Sequence, residues 1–122
     1  MIPHYQDLPV FDEETALGLF EHDRELLDEV VALFRSSARR LLAEIEEFDA
    51  AGPEQREELV RSAHSLKGAA ANVAAERIRC LAAALEKAGR QSLGIPAAVD
   101  FTAFIESLRT EISVFDSQFE CA

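Results

Sequence analysis

The chain has 122 residues and carries 23 acidic against 12 basic side chains, a net charge of −11 with histidine neutral. This length suits one compact domain, and the acidic surplus argues against binding to nucleic acid or to an anionic membrane, because phosphate contacts need Lys and Arg. The hydrophobic fraction of 48% is too high for a disordered acidic tail, and no apolar run approaches the roughly 18 residues that span a bilayer.

The N-terminus and the cysteine content both favour a cytoplasmic protein. The first ten residues, MIPHYQDLPV, lack the basic and apolar regions of a secretory signal peptide. The two cysteines, Cys80 and Cys121, are too few and too far apart in sequence for a disulfide framework. We therefore expect reduced thiols and a cytoplasmic location.

The residue pattern predicts an all-α protein, because no stretch alternates apolar and polar residues as a half-buried strand does. Residues 1–11 contain two prolines and show no period, which predicts an extended lead-in. A short first helix is expected to begin at Asp12, whose side chain can accept hydrogen bonds from the first-turn amides, and to stop near His22.

Two longer helices follow. The second has Asp23 as its N-cap, and its apolar stripe recurs at three- and four-residue spacing: Leu27, Val30, Phe34, Ser37 or Ala38, Leu41, Ile45 and Phe48. Gly52 and Pro53 predict the end of this helix and the start of the third. The core side of the third helix consists of Leu59, Ala63, Leu66, Ala70 and Val73.

A weak break at Ala74 and Ala75 precedes the fourth helix, which Gly89 is expected to close, and Pro96 is placed to open the last helix. The apolar positions of these two helices are Ile78, Leu81, Ala82 and Leu85, then Phe101, Ile105, Leu108, Ile112, Phe115 and Phe119. Short connections between four substantial helices predict an antiparallel four-helix bundle with a short extra N-terminal helix. Residues 12–122 are expected to form this single domain.

The sequence lacks the common motifs of metal sites and enzymes. A di-iron bundle needs Glu three residues before His, but Met1, Leu19 and Arg61 stand three residues before the three histidines. No HExxH motif, cysteine pair at metal spacing, EF-hand loop or glycine-rich phosphate loop is present. We therefore expect no cofactor and no autonomous enzymatic activity.

One stretch of the third helix differs in charge from the rest of the chain. Residues 61–75 hold two basic residues and no acidic one, whereas residues 1–60 hold 16 acids and 5 bases and residues 76–122 hold 7 acids and 5 bases. A segment without carboxylates in a strongly acidic protein is suited to receiving another negative group.

The helical period places a histidine on the outer side of this stretch. At about 100° per residue, His64 points roughly 140° from the core side, so we expect it to face solvent. Lys67 lies one turn on, close enough to reach a group on the imidazole. Gly68 and Ala71 leave the neighbouring surface bare. A glycine inside a helix costs about 0.5–1 kcal/mol relative to alanine, which close approach by a partner would compensate, so we assign Gly68, Ala71 and Arg61 to a docking face.

An exposed histidine can act as a nucleophile towards phosphorus. Its ordinary pKa of about 6.5 leaves a neutral ring with a free lone pair at about pH 7. Phosphoryl transfer depends mostly on positioning and electrostatics, and a labile P–N bond suits a carrier. His64 is thus a candidate phosphoryl acceptor, with Lys67 neutralising part of the added charge.

At these residues the sequence resembles the histidine-containing phosphotransfer (HPt) domain of bacterial multistep phosphorelays. The matching string runs over residues 64–73, His-Ser-Leu-Lys-Gly-Ala-Ala-Ala-Asn-Val, and is followed by Leu81 and by the pair Leu85-Glu86 on the next helix. The likeness covers roughly residues 12–119, and it implies the helical bundle predicted above.

The resemblance also implies roles for single residues. His64 would be the phospho-accepting histidine, Lys67 the charge-stabilising lysine and Gly68 the small residue that opens access to the ring. Ala74 departs from the family pattern, which commonly has glycine ten residues after the histidine, and this affects the geometry of the helix end.

By resemblance, the chain would relay a phosphoryl group between a sensor histidine kinase, which can be a hybrid kinase, and the aspartate of a response-regulator receiver domain. Mg²⁺ is expected only in the partner receiver. We expect a monomer, with neither nucleic acid nor membrane as a partner. The alternative is an acidic helical adaptor that binds a regulator through the same face without being phosphorylated.

Overall fold

The computed structural model describes residues 2–97 and 99–120, which form helices and no strand, so the predicted all-α class is confirmed. The α-helices are α1 (Glu13–Leu19), α2 (Arg24–Ala51), α3 (Arg56–Asn72), α4 (Glu76–Gln91) and α5 (Thr102–Ser117). None of these described helices has the length and apolar character that crossing a bilayer requires. Cys80 is a free, partly buried thiol, whereas Cys121 lies outside the described residues.

The helix starts follow the predicted caps. The side chains of Asp12 and Asp23 each accept a hydrogen bond from the backbone N–H three residues on, which satisfies a first-turn donor of α1 and α2. Gly52 ends α2 with a φ of 100°, a conformation that favours glycine. Pro53 opens a single 3₁₀ turn instead of an α-helix, and α3 begins only at Arg56.

The four long helices form a closed antiparallel bundle, in which α2 and α4 each pack against both α3 and α5. Ion pairs show the opposed directions of α2 and α5. Arg35 and Arg39 bind Asp116 near the end of α5, while Arg109, earlier in α5, binds Glu46 further along α2. The apolar stripes of all the helices meet in one continuous core.

The predicted core positions are largely buried, and those of α3 all lie at 1% exposure or less. Two predicted core positions in α2, Val30 and Phe48, are only partly buried, and Val31 is buried in place of Val30. The buried stripe runs through Leu27, Val31 and Phe34 at the spacing of helical turns, and this places Val30 at its edge.

Besides the start of α3, two predicted helix boundaries were wrong. Gly89 does not close α4, which continues to Gln91, and Pro96 does not open α5, which begins at Thr102. Gly89 is instead buried where α4 packs on α3, because a Cβ at this position would lie 2.6 Å from Cγ2 of Val60. Its function is therefore close helix packing.

Two arginines fix the non-helical segments to the bundle. Arg77 of α4 donates hydrogen bonds to two backbone carbonyls of the N-terminal segment, those of Gln6 and Leu8. Arg56 is buried and donates to three carbonyls of the α4–α5 connection, those of Ser92, Ile95 and Ala97. The carbonyls of these two segments lie outside the helices and have no helix or strand donor, so the arginine hydrogen bonds satisfy them.

The turn between α3 and α4 places an alanine in the left-handed region. Ala74 has a φ of 55°, and the N–H groups of Ala74 and Ala75 donate to the carbonyls of Ala71 and Ala70. This is the Schellman arrangement of a helix C-terminus, whose left-handed position is usually glycine. The departure from glycine at Ala74 therefore falls where a side chain costs about 1–2 kcal/mol.

We predict that Ala74→Gly raises the free energy of unfolding by about 0.5 kcal/mol. Relief of the left-handed strain raises the free energy of unfolding by about 1–2 kcal/mol. Loss of a buried methyl group lowers it by about 0.8 kcal/mol. Urea unfolding at pH 7 measures the difference.

The control is Ala75→Gly. Ala75 is as buried as Ala74 but has a φ of −82°, so its replacement loses the same methyl group without relieving strain and should destabilise the fold by about 0.8 kcal/mol. Equal destabilisation by both substitutions would show that Ala74 is not strained.

Candidate functional site

His64 lies in the middle of α3 with 60% of its side chain exposed, which confirms the predicted solvent-facing position. Its Nδ1 atom lies 2.8 Å from Oε2 of Glu86 on α4. Among the described residues, Glu86 is the one hydrogen-bond partner of the His64 ring. One side of the imidazole is therefore anchored to the neighbouring helix and the other faces solvent.

Glu86 is the centre of a network that joins α3 to α4. Its side chain is only 8% exposed, and Oε1 accepts from Nζ of Lys67 at 2.6 Å while Oε2 also accepts from Nη2 of Arg90 at 2.8 Å. Burial alone would raise the pKa of Glu86, but hydrogen bonds from Lys67, Arg90 and His64 outweigh it and lower the pKa to about 2. The carboxyl group is therefore ionised at neutral pH.

The charge on Glu86 fixes the proton position on the neutral His64 ring. An ionised carboxylate can only accept a hydrogen bond, so the shared proton belongs to Nδ1 of His64. In a neutral imidazole the other nitrogen then carries the free lone pair. The ring thus presents Nε2 as its nucleophilic atom, on the edge away from the buried carboxylate.

The charge around His64 differs from the sequence-based prediction. The stretch 61–75 contains no acid, but in the folded protein Glu86 of α4 brings a carboxylate against it. Two cations bind this single carboxylate: Lys67, which is 36% exposed, and Arg90, which the sequence did not identify. The cluster still has an excess of positive charge beside the ring.

The predicted docking residues lie on the solvent side of α3. Gly68 is exposed, and a Cβ there would meet no heavy atom within 4 Å, so this glycine does not serve helix packing. Ala71 is also exposed. Arg61 is exposed as well and pairs with two glutamates of the first turn of α3, Glu57 and Glu58. Access to the histidine is open on the Gly68 side.

Close packing of α3 on α4 allows the buried network to form. The contact between Val60 and Gly89 lies one helical turn from His64 on α3 and from Glu86 on α4. Because Gly89 has no side chain, the two helices approach closely enough for Glu86 to reach the His64 ring. Gly89 thus supports the site without touching it.

The sequence pattern predicts no role for Glu86. This residue belongs only to the Leu85-Glu86 pair through which the chain resembles HPt domains. A local signal was available, because Glu86 follows Leu85 on the buried stripe of α4 and lies four residues after Ala82. A carboxylate at a core-facing position needs a partner. Its partners are on another helix, however, and helical periodicity alone does not identify them.

The comparisons with known proteins agree with this geometry. A family model described as the Hpt domain matches residues 29–118, which are 90 of the 122 residues. The chain belongs to the Hpt domain family. No curated protein and no solved structure matched the chain. The matched part of this Hpt domain contains Glu86 and the three residues that bind it, His64, Lys67 and Arg90.

Among the described residues of this Hpt domain, no group of three or more His, Cys, Asp or Glu side chains is arranged to bind a metal ion. The polar chemistry of the site consists of one imidazole, one carboxylate and two cations. Such a set suits transfer of an anionic group through a nitrogen nucleophile.

The low pKa of Glu86 predicts a pH-dependent contribution to stability. Because the folded-state pKa of about 2 lies below the ordinary value of 4.5, the ionised network stabilises the fold above about pH 5, and this stabilisation is lost as the pH falls towards 2. We expect Glu86→Gln to be less stable than the wild type at pH 7, and the difference to be smaller by pH 3.

Urea unfolding of both proteins at pH 7, 5 and 3 measures this difference. A difference that is the same at all three pH values would contradict the ionised, hydrogen-bonded state of Glu86.

Proposed function

We propose that this Hpt domain is a cytoplasmic phosphorelay protein that carries a phosphoryl group on Nε2 of His64. It exchanges this group with the aspartate of a response-regulator receiver domain, within a relay that starts at a sensor histidine kinase. The observation that supports the proposal most strongly is the hydrogen bond from the exposed His64 ring to the buried Glu86 carboxylate. It leaves one nitrogen with a lone pair in a position that a partner can reach.

The transfer step follows from this proton position. The lone pair of His64 Nε2 attacks the phosphorus of the receiver's aspartyl phosphate. The N–P bond forms as the P–O bond to the aspartate breaks, and that electron pair leaves with the aspartate carboxylate. The ring keeps its Nδ1 proton and becomes positively charged. Glu86 stabilises this charge, because a carboxylate on Nδ1 favours the charged ring.

The cations act on the phosphoryl group itself. Lys67 is bound to Glu86 but partly exposed, so its ammonium can turn towards negative charge that arrives on the ring. Arg90 lies on the same carboxylate and adds a second positive charge nearby. Cations at developing negative charge stabilise phosphoryl transfer. The Mg²⁺ that serves the exchange belongs to the receiver and not to this chain.

The open surface at Gly68 supports docking of a whole protein domain. Since a Cβ at Gly68 would meet no atom within 4 Å, the space beside the ring is free for a partner's backbone. The chain has the role of a carrier, because the reaction needs the phosphorylated aspartate and the Mg²⁺ that a docked receiver supplies. We propose that it acts as a monomer.

Incubation with a ³²P-phosphorylated receiver domain tests the proposal. We expect acid-labile label on the wild type and none on His64→Gln. The control is His22→Gln, which replaces an exposed histidine of the α1–α2 turn and should leave the labelling unchanged. Partner binding without label on the wild type would favour the adaptor alternative, and label on His64→Gln would exclude His64 as the acceptor.

The same assay tests Lys67. We expect Lys67→Ala to slow the transfer about tenfold, the equivalent of about 1.4 kcal/mol of transition-state stabilisation. Circular dichroism should show an intact fold. A normal rate in a folded Lys67→Ala protein would contradict the charge-stabilising role.

A further inference from the structure

Val60 of α3 and Gly89 of α4 are in contact in the buried interface between the two helices. Val60 is 3% exposed, and a Cβ on Gly89 would lie 2.6 Å from the Cγ2 atom of Val60. An ordinary contact of a Cβ atom begins at 3.4 Å. A side chain at position 89 would therefore push the two helices apart by up to about 0.8 Å. We call Val60 and Gly89 the spacing pair.

The spacing pair and the α3–α4 turn lie on opposite sides of the functional site. The turn at residues 73–75 joins the two helices directly and is closed by backbone hydrogen bonds to α3, which fixes the helix spacing at that end. His64 and Glu86 lie between this turn and the spacing pair, one helical turn from the latter. The distance from Glu86 to the His64 ring thus depends on how closely Val60 approaches Gly89.

The three partners of Glu86 respond differently to a change in helix spacing. Arg90 lies four residues after Glu86 on the same helix, so this ion pair moves with the carboxylate. Lys67 lies on α3, but its flexible four-carbon side chain can extend and keep the ammonium within reach. The His64 ring is attached through a single methylene group and has little such freedom. The bond to His64 is therefore the most sensitive of the three to helix spacing.

A movement of this size is enough to break the hydrogen bond to the ring. Nδ1 of His64 lies 2.8 Å from Oε2 of Glu86, and a further separation of about 0.8 Å would lengthen this distance to about 3.6 Å, beyond hydrogen-bond range. The carboxylate would keep Lys67 and Arg90 as partners, which leaves this buried charge compensated and the bundle folded. The neutral ring could then carry its proton on either nitrogen.

We propose that Val60 and Gly89 are positioning residues that select the Nδ1-protonated form of His64 and thereby determine the rate of phosphoryl transfer. They do not touch the ring and act through the spacing of α3 and α4, which places Glu86 against Nδ1. A neutral ring protonated on Nε2 has no lone pair on its exposed edge and does not attack phosphorus there. The inference rests on the proposed function and adds two apolar residues outside the polar network to it.

¹⁵N nuclear magnetic resonance of the neutral His64 imidazole in the full chain tests the inference without phosphorylation. We expect a proton on Nδ1 in the wild type and a mixture of the two neutral forms in Gly89→Ala. The double variant Gly89→Ala/Val60→Ala should restore the wild-type form, because Val60→Ala removes the Cγ2 atom that the added methyl group would meet.

The matched control is Gly18→Ala. Gly18 is an exposed helical glycine of α1, and a Cβ there would meet no heavy atom within 4 Å, so this variant should leave the proton on Nδ1. Val60→Leu overpacks the same contact from α3 with Gly89 kept. It should give the same mixture of ring forms, and it takes the place of Gly89→Ala if circular dichroism shows that variant to be unfolded.

The rate of transfer from a phosphorylated receiver should change in parallel. Gly89→Ala should lower the rate at saturating receiver about tenfold, because a misplacement of less than 1 Å is costly for reacting groups. The half-saturating receiver concentration should stay unchanged, because Gly89 is buried and out of reach of a partner. The double variant should recover most of the rate, which a loss of stability alone does not explain.

The outcomes separate the two proposals. A single Nδ1-bound proton and a wild-type rate in the overpacked variant would overturn the inference and leave the proposed function intact, and so would a double variant that keeps the mixture of ring forms. A wild-type ring protonated on Nε2 would also overturn the inference. A wild type that accepts no phosphoryl group, while Gly89→Ala still loses the Nδ1-bound proton, would overturn the proposed function and leave the effect of helix spacing on the ring.

Discussion

The buried carboxylate of Glu86 is the group on which both the fold and the site depend. A carboxylate removed from water costs several kcal/mol unless charged donors surround it. Its donors, His64, Lys67 and Arg90, come from two helices, so satisfying this one charge ties α3 to α4. The same bonds hold the His64 ring in one orientation and one protonation pattern. Stability and reactivity are therefore coupled through a single side chain.

The two sides of α3 serve different purposes, and two glycines show the contrast. Gly89 of α4 packs against Val60 so closely that a methyl group would collide, and this close packing brings Glu86 under His64. A Cβ at Gly68 would meet no heavy atom within 4 Å, so the missing side chain benefits a molecule that approaches from outside. Close packing on one side of the histidine and open space on the other are both consequences of glycine.

Most of the fold follows from local rules. The apolar residues of α3 recur at helical spacing, so their burial and the outward direction of His64 could be predicted from position alone. The caps of α1 and α2 are similarly local, because an aspartate accepts from amides of its own first turn. The exposure of Gly68 follows from its place four residues after His64.

The errors arise where tertiary packing decides. Gly89 and Pro96 carry the usual signals of a helix end and a helix start, but packing against Val60 explains Gly89, and the bonds from Arg56 hold the segment around Pro96 outside α5. Residues 61–75 contain no acid, but this holds only along the linear sequence. In the folded protein, Glu86 of α4 lies against this segment. The contact between Glu86 and His64 depends on the register of α4 against α3. The residue pattern of either helix alone does not determine that register.

The most direct test is ¹⁵N nuclear magnetic resonance of the His64 imidazole before and after phosphorylation. In the neutral, unphosphorylated ring we expect the proton on Nδ1, and after phosphorylation we expect phosphorus bonded to Nε2 with Nδ1 still protonated. A proton on Nε2 in the neutral ring, or a phosphoryl group on Nδ1, would contradict the role of Glu86.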